Sequence, residues 1–151
     1  MFLACIIVCQ AAGWIGSLAT IPAIPTWYAA LKKPVFTPPN WIFGPVWTTL
    51  YFLMGVSLFL VINQQTRLSK TPSLILFGIQ LILNVTWSFV FFGMQAPGLA
   101  LIEILLLTVS IGATILFFME LSSLAAYLLV PYLLWVIYAS ALNTAIWILN
   151  R

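Results

Sequence analysis

Read for hydropathy alone, the chain is a succession of five long apolar stretches separated by short breaks. A helix that crosses the hydrocarbon core of a bilayer needs about 20 predominantly apolar residues. Stretches over about 2–21, 45–63, 72–92, 98–119 and 123–150 meet that length. The first stops at Pro22 and Pro25, and Pro45 suits the first turn of the second. Gly93 and Pro97 close the third, while Pro131 lies inside the fifth. The pattern therefore predicts an all-α integral membrane protein: one domain over residues 1–151, a compact bundle of five transmembrane helices with a structured first loop over 22–44. The breaks after the second, third and fourth stretches are short, which predicts that helices two to five are antiparallel neighbours. No internal repeat interrupts this reading.

Composition excludes the alternatives. Of all residues 64% are hydrophobic and 5% are charged. A soluble domain carries about a quarter charged residues, and disorder requires low hydrophobicity with high net charge. Neither fits, so lipid is the solvent. The first stretch ends in Ser17-Leu18-Ala19, a sequence similar to a signal-peptide cleavage site, but no basic residues precede it, and a retained helix is expected. Its Ala12, Gly16 and Thr20 form a small-residue stripe suited to close helix packing. Five spans put Arg67, Lys70 and Glu120 on one side and Lys32, Lys33 and Arg151 on the other. Two basic residues against three favour a cytoplasmic first loop and carboxyl terminus.

Conventional catalytic chemistry has few carriers here. Without His there is no imidazole base, no His-ligated metal and no Ser-His-Asp triad. Cys5 and Cys9 sit in an apolar stretch and read as packing residues, so no metal site is assigned. The net charge of +3 is too small and scattered for nucleic-acid binding. Seven Trp residues are the anomaly.

Several of them cluster with prolines in the first loop. Trp27, Tyr28, Phe36, Trp41, Phe43 and Trp47 interleave with Pro34, Pro38, Pro39 and Pro45. Aromatic belts sit at both membrane interfaces and need no prolines. Proline fixes the backbone. A rigid aromatic lid over one end of the bundle accounts for both features, with the belt as the alternative.

At this point the sequence resembles the translocator protein family, also called tryptophan-rich sensory proteins or peripheral-type benzodiazepine receptors. The resemblance rests on Trp27-Tyr28, Leu31, Lys33-Pro34, Phe36, Pro38-Pro39, Trp41, Phe43-Gly44-Pro45, Trp47 and Leu50-Tyr51. It continues through Gln80-Leu81, Asn84, Trp87-Ser88 and Phe91-Phe92, then Pro131-Tyr132, Trp135 and Leu142-Asn143. The resemblance implies a five-helix homodimer with a ligand pocket in each protomer, closed by the first loop. It implies protoporphyrin or another haem-type tetrapyrrole as ligand, with sterols and synthetic drugs added in eukaryotic members. Transport, sensing and light-dependent porphyrin breakdown are the roles it implies, with no cofactor required. The counterparts of Asn84, Trp47 and Trp135 lie in the family's pocket.

Helical spacing supports a polar, aromatic interior independently. Gln80, Asn84, Trp87 and Phe91 fall at offsets of zero, four, seven and eleven, on one helix face. Buried amides in hydrocarbon need partners, so this face should point inward. Trp47 and Tyr51 lie one turn apart, and Tyr132, Trp135, Ala139 and Asn143 align in the last span. The candidate ligand-binding set is Trp27, Tyr28, Pro38, Trp47, Tyr51, Gln80, Asn84, Trp87, Tyr132, Trp135, Ala139 and Asn143. Polar residues in membrane bundles also serve only to hold helices together, and that alternative stands for Gln80 and Asn143. Gln10 and Gly13 are available for the remaining wall, while Trp14 and Trp147 read as ordinary membrane residues. Lys32 and Lys33 would meet ligand propionates or simply snorkel to the interface. Glu103 either faces the interior with Leu107, Ser110 and Thr114 or sits hydrated near the interface. A short sterol-type pattern of Tyr followed by Lys or Arg is absent after Tyr138, which suits a bacterial cell membrane. Three functions compete: a porphyrin receptor or transporter, a photochemical porphyrin-degrading protein using Trp47 and Trp135, and a lipid-binding scaffold.

Overall fold

The computed structural model describes residues 1–151. Its helices are α1 (Phe2–Ala23), α2 (Trp27–Ala30), α3 (Asn40–Asn63), α4 (Thr71–Ser88), α5 (Pro97–Leu121) and α6 (Ser123–Leu149). A π-helical stretch, Phe89–Gly93, continues α4. With that stretch added to α4, five helices are long and apolar enough to cross a membrane, and no strand forms. This is an all-α, multi-pass membrane bundle.

The expected ends hold within a few residues except at the start of the second span. There α3 begins at Asn40, not at Pro45. Proline disfavours helical backbone in the residue before it, and with Pro38 and Pro39 in succession the segment up to Pro39 stays outside the helix, which starts directly after it. Pro45 lies inside α3, more than one turn from its start. The loop is correspondingly shorter than 22–44 and contains the α2 turn. Pro22 likewise falls inside α1, in its last turn.

In lipid, helices associate by close packing and not by expulsion of apolar surface from water. The buried stripe of α1 is Cys5, Cys9, Ala12, Gly16, Ala19 and Ala23, small residues alternating at spacings of four and three. Thr20, expected in that stripe, is only half-buried, and its hydroxyl donates to the Gly16 carbonyl at 3.1 Å. Opposite, Gly55 of α3 makes the close approach possible. A Cβ there would lie 2.8 Å from Ile6 Cα and 3.1 Å from the Cys5 carbonyl oxygen.

The helices close into a ring in the order α1, α3, α6, α5, α4 and back to α1. Spans three, four and five are successive neighbours as expected, and the expectation is corrected only for spans two and three. Helices α3 and α4 are consecutive in sequence but share almost no backbone contact, because α1 separates them. A connection of residues 64–70 reaches about 23 Å when extended, more than twice the 8–10 Å between packed helix axes. Short loops therefore permit adjacency without enforcing it. Lys70 steadies this connection by donating to the Ile62 carbonyl at 2.7 Å, a cation at the end of α3. Between α3 and α6, the Ser57 hydroxyl donates to the Ala125 carbonyl at 2.7 Å.

Glu103, Leu107, Ser110 and Thr114 are all buried on α5, so the interior placement of Glu103 is the one observed. Both carboxylate oxygens lack a protein hydrogen-bond partner, as do the Gln80 amide and the Ser110 hydroxyl.

The α1–α3 contact is tested by Gly55→Leu, which should destabilise the protein by about 1–3 kcal/mol through overpacking. Thermal unfolding in detergent, followed by reaction of a thiol dye with buried Cys5 and Cys9, measures it. Gly78→Leu, where an added Cβ meets nothing within 4 Å, should leave the transition in place.

Candidate functional site

At the end of the ring that carries the first loop lies a cavity of about 270 Å3. Its walls come from α1, α3, α4 with its π stretch, and α6, with Tyr28 contributed by α2. Nine of its 24 lining residues are aromatic. The Trp47 and Tyr51 rings lie 5.5 Å apart, and Trp87 stacks on Phe91 at 5.1 Å with 23° between planes. Trp135 meets Phe43 edge-on at 6.2 Å. Offset and edge-to-face pairs of this kind hold one another's positions and leave flat surface for a further ring.

The π stretch shapes this wall. Its wider turn is closed by the Met94 amide donating to the Phe89 carbonyl at 2.7 Å. Phe91 and Phe92, adjacent in sequence, both reach the cavity. Such single-turn widenings inside α-helices are frequent at functional sites.

Behind the wall, farther from the loop, a hydrogen-bonded chain crosses the bundle. The Tyr51 hydroxyl donates to Asn84 Oδ1, and Asn84 Nδ2 donates to the Tyr132 hydroxyl at 2.9 Å. Asn143 makes a second bridge: Trp87 Nε1 donates to its Oδ1 at 3.1 Å, and its Nδ2 donates to the Pro97 carbonyl at 2.7 Å. Among the candidate residues, Tyr28, Trp47, Tyr51, Trp87, Trp135, Ala139 and Asn143 line the cavity. Asn84, Tyr132 and Gln80 are buried behind the lining, the first two spending their polar groups on each other and on Tyr51. Trp27 packs edge-on against Phe91 at 5.6 Å, on the outer side, and Pro38 belongs to the extended part of the loop.

The loop is fastened to α6 at two places. The Asn150 side chain pairs with the Lys32 backbone, accepting from its amide at 2.9 Å and donating to its carbonyl at 2.9 Å. The Tyr138 hydroxyl donates to the Phe36 carbonyl at 2.6 Å. Lys33 Nζ turns back to the Ala29 and Leu31 carbonyls and stands 4.8 Å from the Tyr28 ring centre. Neither Lys32 nor Lys33 lines the cavity.

A model of the TspO/MBR family matches residues 5–148. The chain belongs to the TspO/MBR family. The tryptophan-rich protein TspO of Archaeoglobus fulgidus is 44% identical over 151 residues, covering 97% of this chain and 95% of that protein. The human translocator protein is 42% identical over 124 residues, covering 80% of this chain and 73% of its own. The tryptophan-rich sensory protein of Cereibacter sphaeroides is 37% identical over 117 residues, 78% of this chain and 72% of that one.

In this TspO/MBR-family protein, residue-by-residue reading missed most of the α1 wall. Gly16, Ser17 and Thr20 line the cavity with Gln10 and Gly13, as does Trp14, which had no assigned role beyond the membrane. The available signal was a second run of small residues, Gly13, Gly16, Ser17 and Thr20, on a helix whose buried stripe is already small. A Cβ on Gly13 would lie 2.5 Å from Tyr51 Cε2, so glycine is what lets that ring reach the wall. The fastening by Asn150 was likewise illegible, because nothing local marks a terminal Asn as a partner of Lys32.

Tyr28 is 2% exposed, and its hydroxyl has no protein partner. Burial pushes its phenol up to about 12. An unfolded chain gives up that proton near pH 10, the fold only near 12, so the unfolded state binds fewer protons in between and stability falls as pH rises across that window. Tyr28→Phe should therefore lose less stability than the parent chain between pH 10 and about 12 and fold as well at neutral pH. Thermal unfolding across that range checks both.

Proposed function

We propose that this protein is a membrane receptor, acting in sensing or transport, that binds a porphyrin-type tetrapyrrole in the aromatic cavity beneath the first loop. The observation that carries this reading is the cavity wall itself. Indole, phenol and benzyl rings face a common space, and few polar groups orient what enters it. A flat macrocycle with carboxylates at one edge matches that chemistry: rings stack on its faces, and the indole N–H groups of Trp47 and Trp135 set its orientation. The unpartnered Tyr28 hydroxyl adds a donor near the loop. Lys32, whose side chain is exposed on the loop, is the cation available to a propionate at the cavity edge. The sensory role is the one named in the Cereibacter sphaeroides relative.

The polar groups behind the wall then act through the rings they hold. Asn84 fixes Tyr51 against the cavity, and Asn143 fixes the indole of Trp87. Their place in this reading is to hold the stacking surfaces still, so that little freedom is lost when a rigid ligand arrives.

Titration of protoporphyrin against the protein in lipid nanodiscs, read by tryptophan quenching, tests the proposal. Trp135→Ala and Trp47→Ala should each weaken binding by roughly tenfold, about 1.4 kcal/mol, the scale of one lost aromatic contact. Unchanged affinity in both variants would remove the cavity from the binding site.

A second reading is favoured by the continuity of oxidisable rings. Trp47 contacts Tyr51 at 5.5 Å and Tyr132 at 6.3 Å, and both tyrosines bond Asn84. Such a relay would support oxygen- and light-dependent breakdown of the bound pigment, with Trp47 and Trp135 nearest to it. On illumination in air, the Soret absorbance of the complex should then decay faster than that of free porphyrin, and Trp47→Phe should slow the decay. Decay at the free-porphyrin rate ends this reading.

A further inference from the structure

The contact between α1 and α3 changes character along its length. Away from the loop the two helices are closed: the Phe2 and Phe59 rings meet at 5.1 Å, and Gly55 brings α3 against the backbone of Ile6 and Cys5. The last direct hydrogen bond between them is Gln10 Nε2 donating to the Thr48 carbonyl at 3.0 Å. From that point toward the loop the cavity lies between them, and its lining includes residues that also face outward. Trp14 is 71% exposed and Ile21 66% exposed, and Gly44 and Thr48 across the gap are exposed as well. A residue that both lines a cavity and faces lipid marks an opening in its side.

The geometry points to a lateral portal between α1 and α3, through which the cavity exchanges flat, apolar or amphiphilic molecules directly with the surrounding bilayer. Gln10 and Thr48 form its lower edge, Trp14 and Ser17 one jamb and Gly44 the other. Three observations favour this route over passage beneath the loop. The loop is held to α6 by the Asn150–Lys32 pair and by Tyr138 on Phe36. Tyr28, the loop residue at the cavity, is buried against Phe91 and Phe92. At Gly44 an added Cβ meets nothing within 4 Å, so no α1 side chain covers that jamb.

The portal also bears on size. Pockets for drug-sized ligands run to about 300–1,000 Å3, and this cavity, at about 270 Å3, falls just below that range. A macrocycle seated in it would extend one edge between the two helices. That clause rests on the porphyrin reading; the portal itself rests on helix geometry alone, and its test needs no porphyrin.

The test places a cysteine in the cavity with Ala139→Cys, using the parent chain, whose Cys5 and Cys9 are buried, as background. The protein is held in nanodiscs and labelled either with a long-chain N-alkyl maleimide dissolved in the lipid or with a sulfonated maleimide confined to water. Labelling from lipid should be at least tenfold faster than from water, after correction for each reagent's rate with a free thiol. Adding Gly44→Phe, or separately Ser17→Phe, should slow the lipid route tenfold or more, while Asn150→Ala combined with Tyr138→Phe, which removes both fastenings of the loop, should leave it unchanged. Circular dichroism and the thermal transition of each variant establish that it is folded. Equal labelling from water, no labelling from lipid, or a lipid-side rate unaffected by both bulky substitutions would overturn the portal. Porphyrin affinity, measured separately, can fail without touching this result.

Discussion

The fold depends on one buried bridge, Tyr51 to Asn84 to Tyr132. Inside a bilayer an unpartnered amide is costly, and Asn84, unlike Gln80 on the same helix, has both a donor and an acceptor within the protein. It finds them on α3 and α6, the two helices that its own helix does not touch through the backbone to any extent. The ring of five helices is thus tied across its middle by side chains, where ring order alone would leave α3 and α4 unconnected. The same bridge supports Tyr51, whose other face meets Gly13 and Trp47. Closing the bundle and building the cavity wall are one event.

Much of this was legible in sequence because membrane spans obey a simple length rule and prolines punctuate them. The spans, their number and the inward face of Gln80, Asn84 and Phe91 follow from hydropathy and helical period. Ring order did not follow, since a loop length bounds a distance and says nothing of which neighbour fills it. The start of α3 was obscured because two proline signals competed. Pro45 is permissible in a first turn, but Pro38 and Pro39 in succession disfavour helix before them and permit it immediately after, and α3 starts there.

The site was legible on one side only. Aromatic and amide residues on α3, α4 and α6 announce themselves by being costly or bulky. Much of the α1 wall is built from residues notable for what they lack: Gly13 admits the Tyr51 ring and Gly16 the Ser88 side chain by contributing none of their own, and Ser17 adds little bulk. Absence of bulk has no periodic signature distinct from ordinary helix packing. The π stretch at Phe89–Gly93 was equally silent, because widening a helix by one residue alters backbone bonds without demanding a particular residue type. Yet Phe91 and Phe92 within it both line the cavity.

The side opening between α1 and α3 has a consequence for how occupancy is counted. A cavity in contact with hydrocarbon samples the ligand dissolved in the membrane, and a hydrophobic macrocycle is far more abundant there than in water. Saturation is then read against the molar ratio of ligand to lipid, and diluting a sample with empty vesicles at fixed total ligand lowers that ratio and drains the site. For such a protein the membrane is both the solvent of the fold and the reservoir of the ligand.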